Sequence, residues 1–248
     1  MILLEIEQNK KYISKNPHFI KLVMGIDKLM DFLDFLSSLI FEAGHVKICM
    51  SEENSYMFQT DHLDSTVKTL SSIKYCCMYG SFSDANVLVR KYRDDLMMFL
   101  YIVDVLENRK YLNVQQINEI INAVSDVGKS DDDKCVDAWF DNTVHNLSKK
   151  QEKEIRKLIK KKFSFSNYMN CLRNNESIKK VITEYNLETN WKAIQDKLND
   201  YTHNNGRVYT RHNLVSCQSS NIIKTCCNEI IERLDFITAF FVVLLILV

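Results

Sequence analysis

A chain of 248 residues with 46% hydrophobic and 26% charged content can bury one large core or two modest ones, which excludes a mostly disordered polymer. Its 32 basic and 32 acidic residues cancel, so no global field draws the molecule to nucleic acid or to acidic substrates, and any such attraction has to be local. One proline and five glycines leave few turn signals, and the abundance of Leu, Ile, Lys, Glu, Asp and Asn predicts an all-α protein built from long helices.

The opening stretch from Met1 to Glu7 has the wrong charge and too short an apolar run for a secretory signal. The eight cysteines form no CxxC pair and no Cys/His spacing suited to tetrahedral zinc. They read as thiols of a reducing compartment, with neighbours such as Cys76 and Cys77 acting as small core residues. Neither a metal nor an organic cofactor is expected, and the folded part should be cytoplasmic.

Asn16-Pro17 reads as a cap followed by proline at the first helical position, and Leu22, Ile26, Leu29, Leu33, Leu36 and Ile40 then share one face of a helix ending near Gly44. His45 to Met50 is either a connector or a lone strand. Leu63 to Met78 forms a second helical segment. Ser83-Asp84 should cap a third, with Ala85, Leu88, Tyr92, Leu96, Phe99, Val103 and Leu106 as its buried stripe. Asn113 opens a shorter helix with Val114, Ile117, Ile121 and Val124 inward, and 128–134 is a solvated loop.

Shorter elements fill 135–186: Val136 to Val144, the basic Ser148 to Phe163, and Ser177 to Tyr185. Trp191, Ile194, Leu198 and Tyr201 define a helix that should stop at Asn204-Asn205-Gly206, and from about Asn213 the helical pattern continues to the last residue. Its stripe is Val215, Ile222, Cys226, Ile230 and Leu234, and Phe236 to Val248 carries no charge. Thirteen residues reach only about 20 Å, short of the roughly 20 residues a bilayer core needs. A buried core helix is one reading. Apolar side chains on every face at a chain end favour the other, a truncated or partly covered membrane-type segment, with the preceding domain on the cytoplasmic side of the inner membrane.

No glycine-rich phosphate loop, zinc-protease helix, nucleophile elbow or calcium loop is present, and Gly128-Lys129-Ser130 lacks the upstream glycine of a P-loop. Chemistry concentrates instead between Asn199 and His212. Arg207 and His212, with four residues between them, suit metal-free RNA cleavage: imidazole moves a proton from or to a ribose oxygen while guanidinium steadies the phosphate charge. The run from Lys149 to Lys162 holds eight basic and two acidic residues. Such a run can read RNA phosphates, but a solvated helix face is the plainer expectation.

The segment Val87-Leu-Val-Arg90-Lys-Tyr-Arg93-Asp94, followed downstream by Leu198-Asn-Asp-Tyr-Thr-His203-Asn-Asn-Gly206, resembles the HEPN superfamily of bacterial helical domains over about residues 57–215. The resemblance implies a helical-bundle core that often dimerises. Many members are metal-independent endoribonucleases of toxin–antitoxin, abortive-infection and CRISPR-linked systems, whose motif is an arginine, four to six residues and a histidine. Others are inactive binding or assembly modules. Arg207 and His212 match that spacing, although Val208 stands where the family usually has a polar residue. A second pairing sets His203 opposite Arg90 or Arg93.

Three segments follow from this reading: a helical extension over 1–56, the HEPN-like domain over 57–234, and the apolar membrane-type segment over 235–248. One expected function is a membrane-tethered endoribonuclease of defence or toxin type, with His212 or His203 as the acid/base, Arg207 aided by Arg90 as the phosphate clamp, and RNA as partner. The other is a non-catalytic, oligomerising interaction domain working through its membrane helix. Plainer roles accompany each residue: Arg90 with Asp94 as a surface ion pair, His203 as a helix cap, and Arg207, Arg211 and His212 as a basic loop facing anionic lipid.

Overall fold

The computed structural model describes residues 2–43, 48–50, 55–107, 135–136, 149–202, 206–213, 215 and 219–248. Among these residues the architecture is all-α, with one short strand pair. The elements in chain order are α1 (Ile2–Ile13), α2 (Pro17–Glu42), β1 (Ile48–Met50), β2 (Ser55–Met57), α3 (Phe58–Met78), α4 (Phe82–Glu107), α5 (Lys149–Lys162), α6 (Phe165–Arg173), α7 (Glu176–Glu184), α8 (Leu187–Thr202), α9 (Gly206–Asn213) and α10 (Ser220–Leu247). β1 and β2 are antiparallel, with Cys49 opposite Tyr56, so the end of the His45 to Met50 stretch is a strand. The expected Asn113 helix, the 128–134 loop and most of Val136 to Val144 lie outside the described residues.

Local chemistry accounts for the clearest helix start. The Asn16 side chain accepts a hydrogen bond from the His18 amide at 2.9 Å, and Pro17 follows at the first helical position, where its missing N–H costs nothing. Leu22, Ile26 and Leu33 are buried as the periodicity predicts, while Leu29, Leu36 and Ile40 pack at the edge of the same core. α2 lies against α3 and α10, and α4 lies against α3, α8 and α10. Gly25 marks the closest approach of α2 to α10, since a Cβ there would meet Ile231 Cδ1 at 2.4 Å.

The C-terminal helix corrects the membrane-type reading of Phe236 to Val248. No helix among the described residues is long and apolar enough to cross a membrane. Ile237, Phe240, Phe241 and Leu244 are buried in the bundle core. Phe240 stacks on Trp191 of α8 with centroids 4.4 Å apart, and Phe241 meets Phe99 of α4 edge-on at 5.9 Å. Inside, Tyr92 of α4 shares a 2.7 Å hydrogen bond with Thr238, whose hydroxyl donates to the Leu234 carbonyl. The segment is apolar on several faces because α2 covers one side and α4 and α8 cover others. Asn175 Nδ2 donates to the Leu247 carbonyl, satisfying one of the orphan acceptors at the helix end.

Two further boundaries differ from expectation. Gly206 opens α9 instead of stopping the Trp191 helix, and the last helix begins at Ser220, not near Asn213. α6 arises between two of the expected short elements, with Ser164 as its N-cap accepting from the Asn167 amide.

Candidate functional site

The end of α8, all of α9 and the middle of α10 meet around a cavity of about 210 Å³ lined by Lys197, Asp200, Tyr201, Tyr209, His212, Glu229 and Arg233. Each helix reaches it for a physical reason. On α8, residues 197, 200 and 201 are three to four apart and so share a face. Trp191 fixes that helix from one and a half turns or more upstream, stacked against Phe165 at 5.7 Å and Phe240 at 4.4 Å.

α9 is too short to be stable alone and is held by the start of α4. Asn213 Oδ1 accepts the Ser83 amide at 3.0 Å and the Asp84 amide at 3.3 Å, taking the place of a local cap. Ser83 does not cap through its own side chain; its hydroxyl donates to the Tyr209 carbonyl at 2.7 Å. Asp84 Oδ1 accepts from the Tyr209 hydroxyl at 2.7 Å and from Asn213 Nδ2 at 3.0 Å. The Asp84 hydrogen bond holds the Tyr209 phenol above its ordinary pKa. Asn213→Ala removes the cap of one helix and the tether of another, so it is expected to cost about 1 kcal/mol, read as a lower urea midpoint at unchanged slope.

His212 stands at the centre of the site. Its Nδ1 lies 3.2 Å from the Tyr201 hydroxyl and the two rings are 6.0 Å apart. Burial pulls the imidazole below its ordinary 6.5; Glu229 opposes this, while Arg211 and Arg233 add to it. Burial raises the Tyr201 phenol, which Glu229 reinforces and Arg233 offsets. At neutral pH the pair is therefore an uncharged imidazole beside a protonated phenol.

Arg233 lies behind them on an otherwise apolar helix and is only 5% exposed. Its guanidinium donates to Glu229 Oε2 at 2.5 Å and to Asn86 Oδ1, and its Cζ lies 5.7 Å from the Tyr201 ring centroid. The periodicity of α10 gives Arg233 the look of a charge flanking an apolar segment. The signal that places it inward is its four-residue spacing from Glu229 between the buried Ile230 and Leu234.

The four residues singled out from the sequence do not fall together equally. His212 lines the cavity, and Arg207 sits in the first turn of the same helix. His203 lies outside the described residues. Arg90 is not among the lining residues; its Nε is 3.7 Å from Asp94 Oδ2, the ion pair that its spacing suggests. It is one turn along α4 from Asn86, which holds Arg233. Arg93 is buried, donating through Nε and NH2 to Asp94 Oδ1 at 2.8 and 2.6 Å, with its Cζ 4.0 Å from the Phe165 ring centroid. No cluster of His, Cys, Asp and Glu that could hold a metal ion occurs among the described residues.

The arrangement can move a proton through His212 and bind an oxyanion beside Lys197 and Arg233. Comparison with protein-family models, with curated proteins and with solved structures finds no match to this chain.

Proposed function

We propose that this chain is a HEPN-like RNA-binding protein that cuts its substrate without a metal ion, using the His212 cavity. The observation that carries the reading is one half-buried, uncharged imidazole meeting a phenol, a lysine and an arginine in the same hollow. In the tautomer that donates Nδ1–H to the Tyr201 oxygen, Nε2 has a free lone pair. It takes the proton of a ribose 2′-hydroxyl, the 2′-oxygen attacks the adjacent phosphorus, and the bond to the 5′-oxygen breaks. The leaving oxygen takes a proton from water. Products are a 2′,3′-cyclic phosphate and a 5′-hydroxyl, with Lys197 and the Arg233 side steadying the charge on the phosphate oxygens. Arg207, in the first turn of the His212 helix, is the second guanidinium of the reading.

The test is incubation of the purified full chain with total RNA in excess EDTA, followed by end-group analysis. New 2′,3′-cyclic phosphate ends are the expected result. RNA left intact both in EDTA and in magnesium would overturn the reading. One observation favours the second reading, a non-catalytic assembly module: Glu229 and Asn86 engage both terminal nitrogens of Arg233, as a structural arginine requires. Intact RNA together with self-association would leave that reading in place.

A further inference from the structure

α2 buries one face against α3 and α10 and turns another outward. Along the outward face run Ile20, Met24, Lys28, Asp31, Phe35 and Leu39, all exposed, with the four apolar members 46, 59, 64 and 48% accessible. At 100° per residue these six positions lie within an arc of about 100°, a single stripe roughly 28 Å long. Large apolar side chains lined up this way, and not scattered, mark a surface that another molecule covers.

The order of the stripe says which molecule. Read from either end, the intervals are four, four, three, four and four residues, and the sequence of types is apolar, apolar, charged, charged, apolar, apolar. Laid antiparallel on its own copy about a two-fold axis between Lys28 and Asp31, the stripe sets Ile20 against Leu39, Met24 against Phe35, and Lys28 against Asp31. Two-fold symmetry generates every pair twice, so both ends of the contact are apolar and its centre holds two opposite-charge pairs. Neighbouring charges fit the arrangement. Asp27 is taken by Lys74 at 2.8 Å, Asp235 faces Lys28 from its own chain, and Asp31 makes no ion pair among the described residues.

We infer that the outward face of α2 is an isologous interface, on which the occupant is a second copy of this chain docked antiparallel through Ile20, Met24, Lys28, Asp31, Phe35 and Leu39. A partner of another sequence would not need the stripe to read the same in both directions; a two-fold dimer does. The inference goes beyond the RNA-cleavage reading and is independent of the His212 cavity, so either can fail without the other.

Sedimentation equilibrium of the full chain tests it. The wild type is expected to form a dimer. Lys28→Asp and Asp31→Lys each turn the two central pairs into like-charge pairs and should weaken the dimer about tenfold or more. The double variant Lys28→Asp/Asp31→Lys restores opposite charges at both pairs and should return to the wild-type dissociation constant. Phe35→Glu should be monomeric. All these positions are exposed, and circular dichroism of each variant verifies that the helices persist. A wild type that is monomeric at every concentration would overturn the inference, and so would a dimer whose constant ignores the charge reversals or fails to recover in the double variant.

Discussion

His212→Ala is expected to slow RNA cleavage in EDTA by roughly a hundredfold or more, the scale on which one positioned proton-transfer group acts. Nothing else in the cavity substitutes for it: Tyr201 and Tyr209 have phenols held above their ordinary pKa, and so are poor bases at neutral pH. Tyr201→Phe removes the group that orients Nδ1 while leaving Nε2 in place, so about a tenfold loss is expected there. The pH profile separates proton transfer from mere packing. Because burial lowers the His212 pKa, the imidazole is free to accept a proton at neutral pH, and the rate should fall only as pH drops through a midpoint below 6.5. An acid limb centred above 6.5, or a His212→Ala variant that cuts at the wild-type rate, would remove this histidine from the chemistry. Initial rates on one defined RNA between about pH 5 and 8 measure both.

What can be read from the sequence is periodic, and what cannot is long-range. The α2 stripe of Leu22, Ile26 and Leu33 and its Asn16-Pro17 start are local patterns, and both appear in the fold. The buried faces of α4 and α8 follow from three-to-four spacing in the same way. The tail is harder, because a helix covered by neighbours on several sides and a helix covered by lipid present the same residues. Tyr92 and Thr238, 146 positions apart, form a contact that local pattern does not encode. The site divides along the same line. His212 stands out as an imidazole in a polar cluster, whereas Arg233 is hidden in an apolar run and Asn213 looks like a helix beginning, though it ends α9 and caps α4. Gly206 reads as a stop because Asn-Asn-Gly favours the left-handed backbone. With α9 tethered by Asp84, the same glycine starts a helix.

Arg233 sets up the largest expected stability effect. A guanidinium 5% exposed loses most of its hydration, and the hydrogen bonds to Asn86 and Glu229 offset that loss. Asn86 is itself 2% exposed and spends its Nδ2 on the Phe82 carbonyl at 2.8 Å, so its Oδ1 is aimed at Arg233 by the backbone of α4. Asn86→Leu leaves the charge buried with one terminal nitrogen unmet and should cost about 2–3 kcal/mol, since removing one partner of a buried charged hydrogen bond forfeits the whole desolvation term. Arg233→Met removes the charge itself and should cost less, about 1–2 kcal/mol, with an apolar side chain of similar length in an apolar helix. The double variant Asn86→Leu/Arg233→Met decides the matter. Once the guanidinium is gone, a leucine side chain on α4 has no charge to strand, so the pair should be less destabilised than the sum of the singles by about 1–2 kcal/mol in urea unfolding. Strictly additive costs would mean that Asn86 does not carry Arg233, and the polar link between α4 and the cavity would have to be assigned to Glu229 alone.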